Sequence, residues 1–131
     1  MLSDKPVLIV EDNVYLAMDL SNAVESLQGR VVGPVGTVAE ALSLVADEVI
    51  AAAILDFELS DSDVIPLARV LIDRRVPFVI HTDNYIPSTL SVLRPGIPVL
   101  IKPIQSCDVV SILAHELARF ELGSRAGQLS D

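Results

Sequence analysis

A single cysteine, Cys107, in a chain of 131 residues rules out an intrachain disulfide. Cations are scarce as well: nine Lys and Arg stand against eighteen Asp and Glu, for a net charge of -9 and an isoelectric point near 4.5. Nucleic acids and anionic membranes both need Lys/Arg patches to displace counterions, so neither is an expected partner. No apolar run approaches the roughly 20 residues that cross a bilayer. The opening Met1-Leu2-Ser3-Asp4-Lys5 lacks the charged and apolar regions of a secretory signal, which makes the cytoplasm the expected address. What is abundant is apolar surface, with 51% hydrophobic residues and a mean hydropathy of +0.54. A chain of this size and composition is expected to bury one core as one domain.

Short apolar runs alternate with longer segments of helical periodicity. Val7–Val10 reads as a strand. Val14, Leu16, Ala17, Leu20, Ala23, Val24 and Leu27 mark a helix that Gly29 ends. Arg30–Val35 is a second strand. Thr37 with Glu40 three residues on predicts a helix start with a capping box. Ile50–Leu55 is a third strand, followed by an acidic loop, Glu58 to Asp63, and a helix with Pro66 in its first turn. Strands four and five are Pro77–His81 and Pro98–Ile101, and the last helix spans Ser106–Leu122. Between them Pro87 and the Pro95-Gly96 turn predict a shortened fourth helix. The expected domain is residues 5–122, with 123–131 a flexible polar tail. Continuous apolar strands joined by helices predict a doubly wound α/β sandwich, its five-stranded parallel sheet covered on both faces.

Polar residues stand at four strand ends: Glu11 and Asp12, Asp56, Thr82 and Lys102. In a parallel sheet these ends share one edge. For strand order 2-1-3-4-5 the crevice falls between strands one and three, where the acidic pair faces Asp56. Three clustered carboxylates are unfavourable unless one is protonated or a cation sits among them. Oxygen-only ligands select a hard cation such as Mg²⁺, which keeps waters and a phosphate oxygen. Lys102 supplies a point charge for an anion and Thr82 a hydroxyl donor. Such a site is arranged for phosphoryl transfer onto a carboxylate.

Leu8-Ile9-Val10-Glu11-Asp12-Asn13, Ile54-Leu55-Asp56, Pro77-Phe78-Val79-Ile80-His81-Thr82 and Leu100-Ile101-Lys102-Pro103 resemble, in order, the four signature blocks of response-regulator receiver domains of the CheY-like superfamily. The resemblance spans about Lys5 to Leu122 and implies the flavodoxin-like fold. It also implies that Asp56 accepts a phosphoryl group from a sensor histidine kinase or a histidine phosphotransfer protein. Glu11, Asp12 and Asp56 would then hold Mg²⁺ together with the backbone carbonyl of Glu58, while Thr82 and Lys102 engage the acyl phosphate. The product is a signal rather than a turned-over substrate, so the chain is read as a non-enzymatic, single-domain response regulator of a bacterial two-component system. It would bind a downstream protein or drain phosphate from a relay; a homodimer stays open. Ile80-His81-Thr82-Asp83-Asn84-Tyr85 partly resembles the Phe-Ala-Thr-Gly-hydrophobic-Tyr motif of short stand-alone receivers, with Thr82 and Tyr85 the strict matches.

The chain departs from the pattern in several places. Val99 stands where most receivers carry a switching aromatic, which leaves Tyr85 as the candidate switch. Asp83 follows the threonine where a small residue is usual, and Ser60 and Val64 replace the Pro and Gly of the loop after the acceptor. These features keep a second reading in view, a degenerate receiver that binds its partner without phosphorylation. A third reading, an Asp-nucleophile phosphatase, rests on Glu58 two positions after Asp56. A flavin module is disfavoured, because no Gly-rich loop follows strand one and only two Tyr and three Phe are available to stack a ring. His81 and His115 lack ligand-spaced partners and read as packing or surface residues. Cys107, near a helix start, reads as a small buried residue.

Overall fold

The computed structural model describes residues 2–59, 61, 63–83 and 94–129, with side chains through residue 123. Its elements run β1 (Pro6–Val10), α1 (Val14–Ser26), β2 (Arg30–Val35), α2 (Val38–Asp47), β3 (Ala52–Asp56), α3 (Ile65–Asp73), β4 (Phe78–Thr82), β5 (Val99–Ile101) and α4 (Ser106–Leu129). The strands form one parallel sheet in the order β2-β1-β3-β4-β5, as expected for the flavodoxin-like, doubly wound class. Both faces of the sheet are covered, which is why the central strands β1, β3 and β4 are apolar through most of their length and buried almost throughout. Val7 and Ile9 pack with Ile54 and Val79 under α1 and α4, while Leu8 and Val10 pack with Leu55, Phe78 and Ile80 under α2 and α3. Side chains alternate across a strand, so one apolar run feeds two cores.

Local chemistry explains most element ends. Asn13 caps α1, its side chain accepting from Leu16 N–H at 3.1 Å. The end of α1 is not made by glycine alone. Gln28 takes the left-handed conformation (φ 66), and Gly29 N–H reaches Val24 O at 2.9 Å, closing a Schellman turn. Gly29 is needed for room instead, because a Cβ there would lie 2.6 Å from Leu2 Cδ1. At α2, Thr37 Oγ1 accepts from Glu40 N–H at 3.1 Å, but Glu40 takes the Thr37 hydroxyl rather than its backbone N–H. The predicted capping box is thus half formed.

Two boundaries differ from expectation. Leu2 lies ahead of the expected domain start at Lys5, yet it is fully buried in the α1/α4 core, and its N–H donates to Leu27 O at 2.8 Å. The last helix continues past Leu122 to Leu129, since no proline interrupts it and an established helix extends at low cost. The shortened fourth helix and Tyr85 lie outside the described residues. Among the described residues, no helix is long and apolar enough to cross a membrane.

Candidate functional site

The sheet topology brings the strand ends together as expected. Asp56 is the last residue of β3, in register beside His81 of β4, while Glu11 and Asp12 follow β1 and Lys102 follows β5. One carboxylate oxygen from each of Glu11, Asp12 and Asp56 lies within 4.8 Å of the others. Glu11 and Asp56 are buried, and Asp12 is exposed. Glu11 N–H donates to Val35 O at 2.9 Å, which ties the acidic pair to the end of β2.

Backbone groups orient the side chains. Asn13 N–H donates to Glu11 Oε2 at 3.1 Å, and Glu58 N–H donates to Asp56 Oδ1 at 3.0 Å. Lys102 N–H donates to Thr82 O at 2.7 Å, so the lysine is held beside the end of β4. Its ammonium sits 3.1 Å from Glu11 Oε1 and 3.5 Å from Asp56 Oδ2. The first contact is an ion pair out of hydrogen-bond alignment, and Glu11 Oε1 has no hydrogen-bond partner among the described residues. Thr82 is fully buried at the end of β4 rather than beyond it. Glu58 is exposed, as is Asp83 at the rim.

This crowding shifts protonation. Burial pushes the Glu11 carboxyl up to about 7, aided by the Asp56 carboxylate beside it. Burial works to lower the Lys102 ammonium, but contact with Glu11 and the charges of Asp56, Glu11 and Asp83 outweigh it and hold it above its ordinary value. His81 is buried, with neither ring nitrogen hydrogen-bonded among the described residues, and burial together with the Lys102 charge lowers it. It is therefore a neutral packing residue, as one of its two sequence readings held. His115 is at the surface, and Cys107 is exposed, against the buried placement expected for it.

A pH dependence follows for the metal-free chain. A carboxyl held above its unfolded value of 4.5 stabilises the fold fully below that value and loses this contribution as pH rises through about 7. The loss is on the order of 2–3 kcal/mol. His81 acts in the opposite sense, because protonation below 6.5 is disfavoured in the fold. The comparison with Glu11→Gln isolates the carboxyl. Urea unfolding at pH 5 and 7.5 should show the native chain losing stability relative to Glu11→Gln across this window; equal slopes would contradict the shift.

Sequence reasoning missed one long-range contact of the loop that follows Asp56. Asp61, read as part of an acidic loop, accepts two N–H groups at the start of α2. No local pattern could reveal this, because its partners lie 23 and 22 residues earlier.

A doubly wound parallel sheet whose β1 and β3 ends converge on an oxygen-rich crevice defines a flavodoxin-like α/β protein with a candidate cation site. No protein-family profile and no curated protein matches the chain. Solved structures do. The chain is 38% identical to SdrG from Sphingomonas melonis Fr1, with 90% of this chain and 99% of that one covered and a TM-score of 0.74. It superposes at a TM-score of 0.78 on a CheY-like response regulator receiver domain protein from Methanospirillum hungatei JF-1, at 19% identity, covering 91% and 98% of the two chains. A receiver domain of a sensor histidine kinase from Pseudomonas aeruginosa PAO1, solved with a magnesium ion in its active site cleft, matches at 24% identity and TM-score 0.72, covering 87% and 98%. With 38% identity to SdrG over nine-tenths of its length, its four signature blocks in order and this topology, the chain belongs to the response-regulator receiver domain family.

Proposed function

We propose that the chain is a Mg²⁺-dependent phosphoacceptor, charged on Asp56 by a sensor histidine kinase or a histidine phosphotransfer protein, that signals by binding another protein or serves as a phosphate sink. The observation that carries this reading is the convergence of three carboxylates on one point with Lys102 bridging two of them. The donors are all oxygens, and Glu11 Oε1 lacks a hydrogen-bond partner among the described residues, which suits a hard divalent ion. Asp12, Asp56, the Glu58 carbonyl and Glu11, directly or through water, would hold it. The bound ion would neutralise charge building on the phosphoryl oxygens.

In the metal-free state Lys102 is counter-ion to Glu11 and Asp56. With those carboxylates holding a cation, the Lys102 ammonium would be free to engage a phosphoryl oxygen. An Asp56 oxygen attacks phosphorus in line, the P–N bond of a phosphohistidine already protonated on its other ring nitrogen breaks, and the departing imidazole keeps the P–N electron pair and leaves neutral. Thr82, at the end of β4, donates its hydroxyl to the new acyl phosphate. Asp83, exposed at the rim, adds negative charge where phosphate enters, which slows charging without removing any reacting group.

Intact mass after incubation with acetyl phosphate, and then with a phosphorylated kinase, tests the reading. A gain of one phosphoryl group that requires Mg²⁺ is expected. No gain with either donor, on folded protein, would leave the phosphorylation-independent binding module as the better account.

A further inference from the structure

The first N–H groups of a helix have no partner within it. In α2, Thr37 satisfies only the N–H of Glu40. The N–H groups of Val38 and Ala39 are taken by one carboxylate from another loop, at 3.0 Å to Asp61 Oδ1 and 3.2 Å to Asp61 Oδ2. The bond from Val38 comes first among the causes that hold the Asp61 carboxyl below its ordinary value, so it is ionised at neutral pH. The positive end of the helix dipole favours the same charge.

This contact ties together two stretches of backbone that each adjoin the carboxylate cluster. One, the loop leaving β3, carries Asp56 and Glu58, whose N–H holds Asp56 Oδ1. It returns to the core through buried Val64, with Asp63 accepting from Ile65 N–H at 2.9 Å. The other, the turn into α2, lies against the acidic pair: a Cβ on Gly36 would be 3.5 Å from Asp12 Cα and 3.8 Å from Glu11 O. Contacts therefore run from Asp12 through Gly36 and the start of α2 to Asp61, which the chain itself joins to Glu58 and Asp56. With β1 and β3 paired directly, the ring is closed.

We infer that Asp61 is a positioning residue: by clamping the loop after β3 to the start of α2, it holds Asp56 and Glu58 at a set distance from Asp12 and so sets the cation affinity of the cluster. The inference rests on the proposed cation site. Asp61 is itself exposed and acts through the backbone it anchors. Groups that orient metal ligands without touching the metal are typically worth roughly 10- to 100-fold in affinity.

Titration calorimetry with Mg²⁺ on the full chain tests this, comparing the native protein with Asp61→Ala, Asp61→Asn and Thr37→Ala. The last removes the helix's own cap and a similar share of its stability, but leaves the clamp in place. Asp61→Ala is expected to weaken Mg²⁺ binding about tenfold and Asp61→Asn by less, since its amide keeps one acceptor oxygen. Thr37→Ala should stay within about twofold of native. Hydrogen exchange without Mg²⁺ supplies a second readout, in which Asp61→Ala speeds exchange at Val38, Ala39 and Glu58. Equal weakening by Thr37→Ala, or unchanged affinity in both Asp61 variants beside a native site that binds, overturns the clamp alone. A native chain that binds no Mg²⁺ overturns the cation site itself, and the clamp with it.

Discussion

Replacing Asp56 by Asn is expected to abolish the phosphoryl mass gain completely and, in the same protein without metal, to raise the unfolding temperature. The first effect is chemical, because the amide has no anionic oxygen to attack phosphorus. The second is electrostatic. Asp56 is 4% exposed and shares a cluster in which carboxylate oxygens from three residues lie within 4.8 Å. Like charges at about 4 Å repel by roughly 4 kcal/mol at an effective dielectric near 20. Against this stands one attraction, from Lys102 at 3.5 Å, and that ammonium keeps Glu11 when Asp56 is neutral. The amide oxygen can still accept the Glu58 N–H, so the loop geometry survives.

The net relief is about 1–3 kcal/mol, a rise of several degrees for a domain of this size. Thermal unfolding in chelator, followed by the same scan in Mg²⁺, checks it: the advantage should shrink when the native cluster is neutralised by the ion. A mass gain retained in Asp56→Asn would move the acceptor elsewhere. A lower unfolding temperature without metal would mean that pairing with Lys102 outweighs repulsion.

The second large effect lies away from the site. Glu116 is buried on α4 and binds Arg94 at 2.6 Å and Arg119 at 3.1 Å. Arg94 is itself largely buried, its guanidinium 4.5 Å from the Phe120 ring centroid and 5.8 Å from that of Phe78. Its Nη1 already lacks a hydrogen-bond partner among the described residues. Removing the carboxylate strands this cation in the protein interior. Glu116→Ala is expected to cost about 3–5 kcal/mol, the range for breaking a buried pair from one side. Arg119→Ala should cost less than about 1 kcal/mol, because that side chain is 66% exposed. Chemical denaturation of both variants distinguishes the cases; similar losses would mean that Arg94 is no more committed to Glu116 than the solvent-facing Arg119 is.

The legible part of the site is the part written on strand ends. Glu11, Asp12, Asp56 and Lys102 follow apolar runs directly, and a parallel sheet carries every such end to one edge whatever the loops do. Thr82 was legible for the same reason, although it ends β4 instead of following it. Of the helix caps, the one at Thr37 was half legible, because Asp61 takes up N–H groups that the local pattern leaves open, and the cap at Asn13 was not read from the sequence. Gly29 was noticed for the wrong reason: Gln28 supplies the left-handed turn, and the glycine makes room for Leu2.

By itself the sequence determined the class of the fold, the order of its elements and the carboxylates and lysine at their ends. These follow from apolar periodicity and from neighbours a few residues apart, where backbone geometry leaves little choice. Only the tertiary structure decided that Leu2 completes a core, that Asp61 spans 23 residues to cap the start of α2, and that Glu116 reaches back 22 residues to hold Arg94. Each of these pairs a side chain with a group that becomes its neighbour only when the chain returns from elsewhere. Their energies depend on burial and distance, which no local pattern encodes.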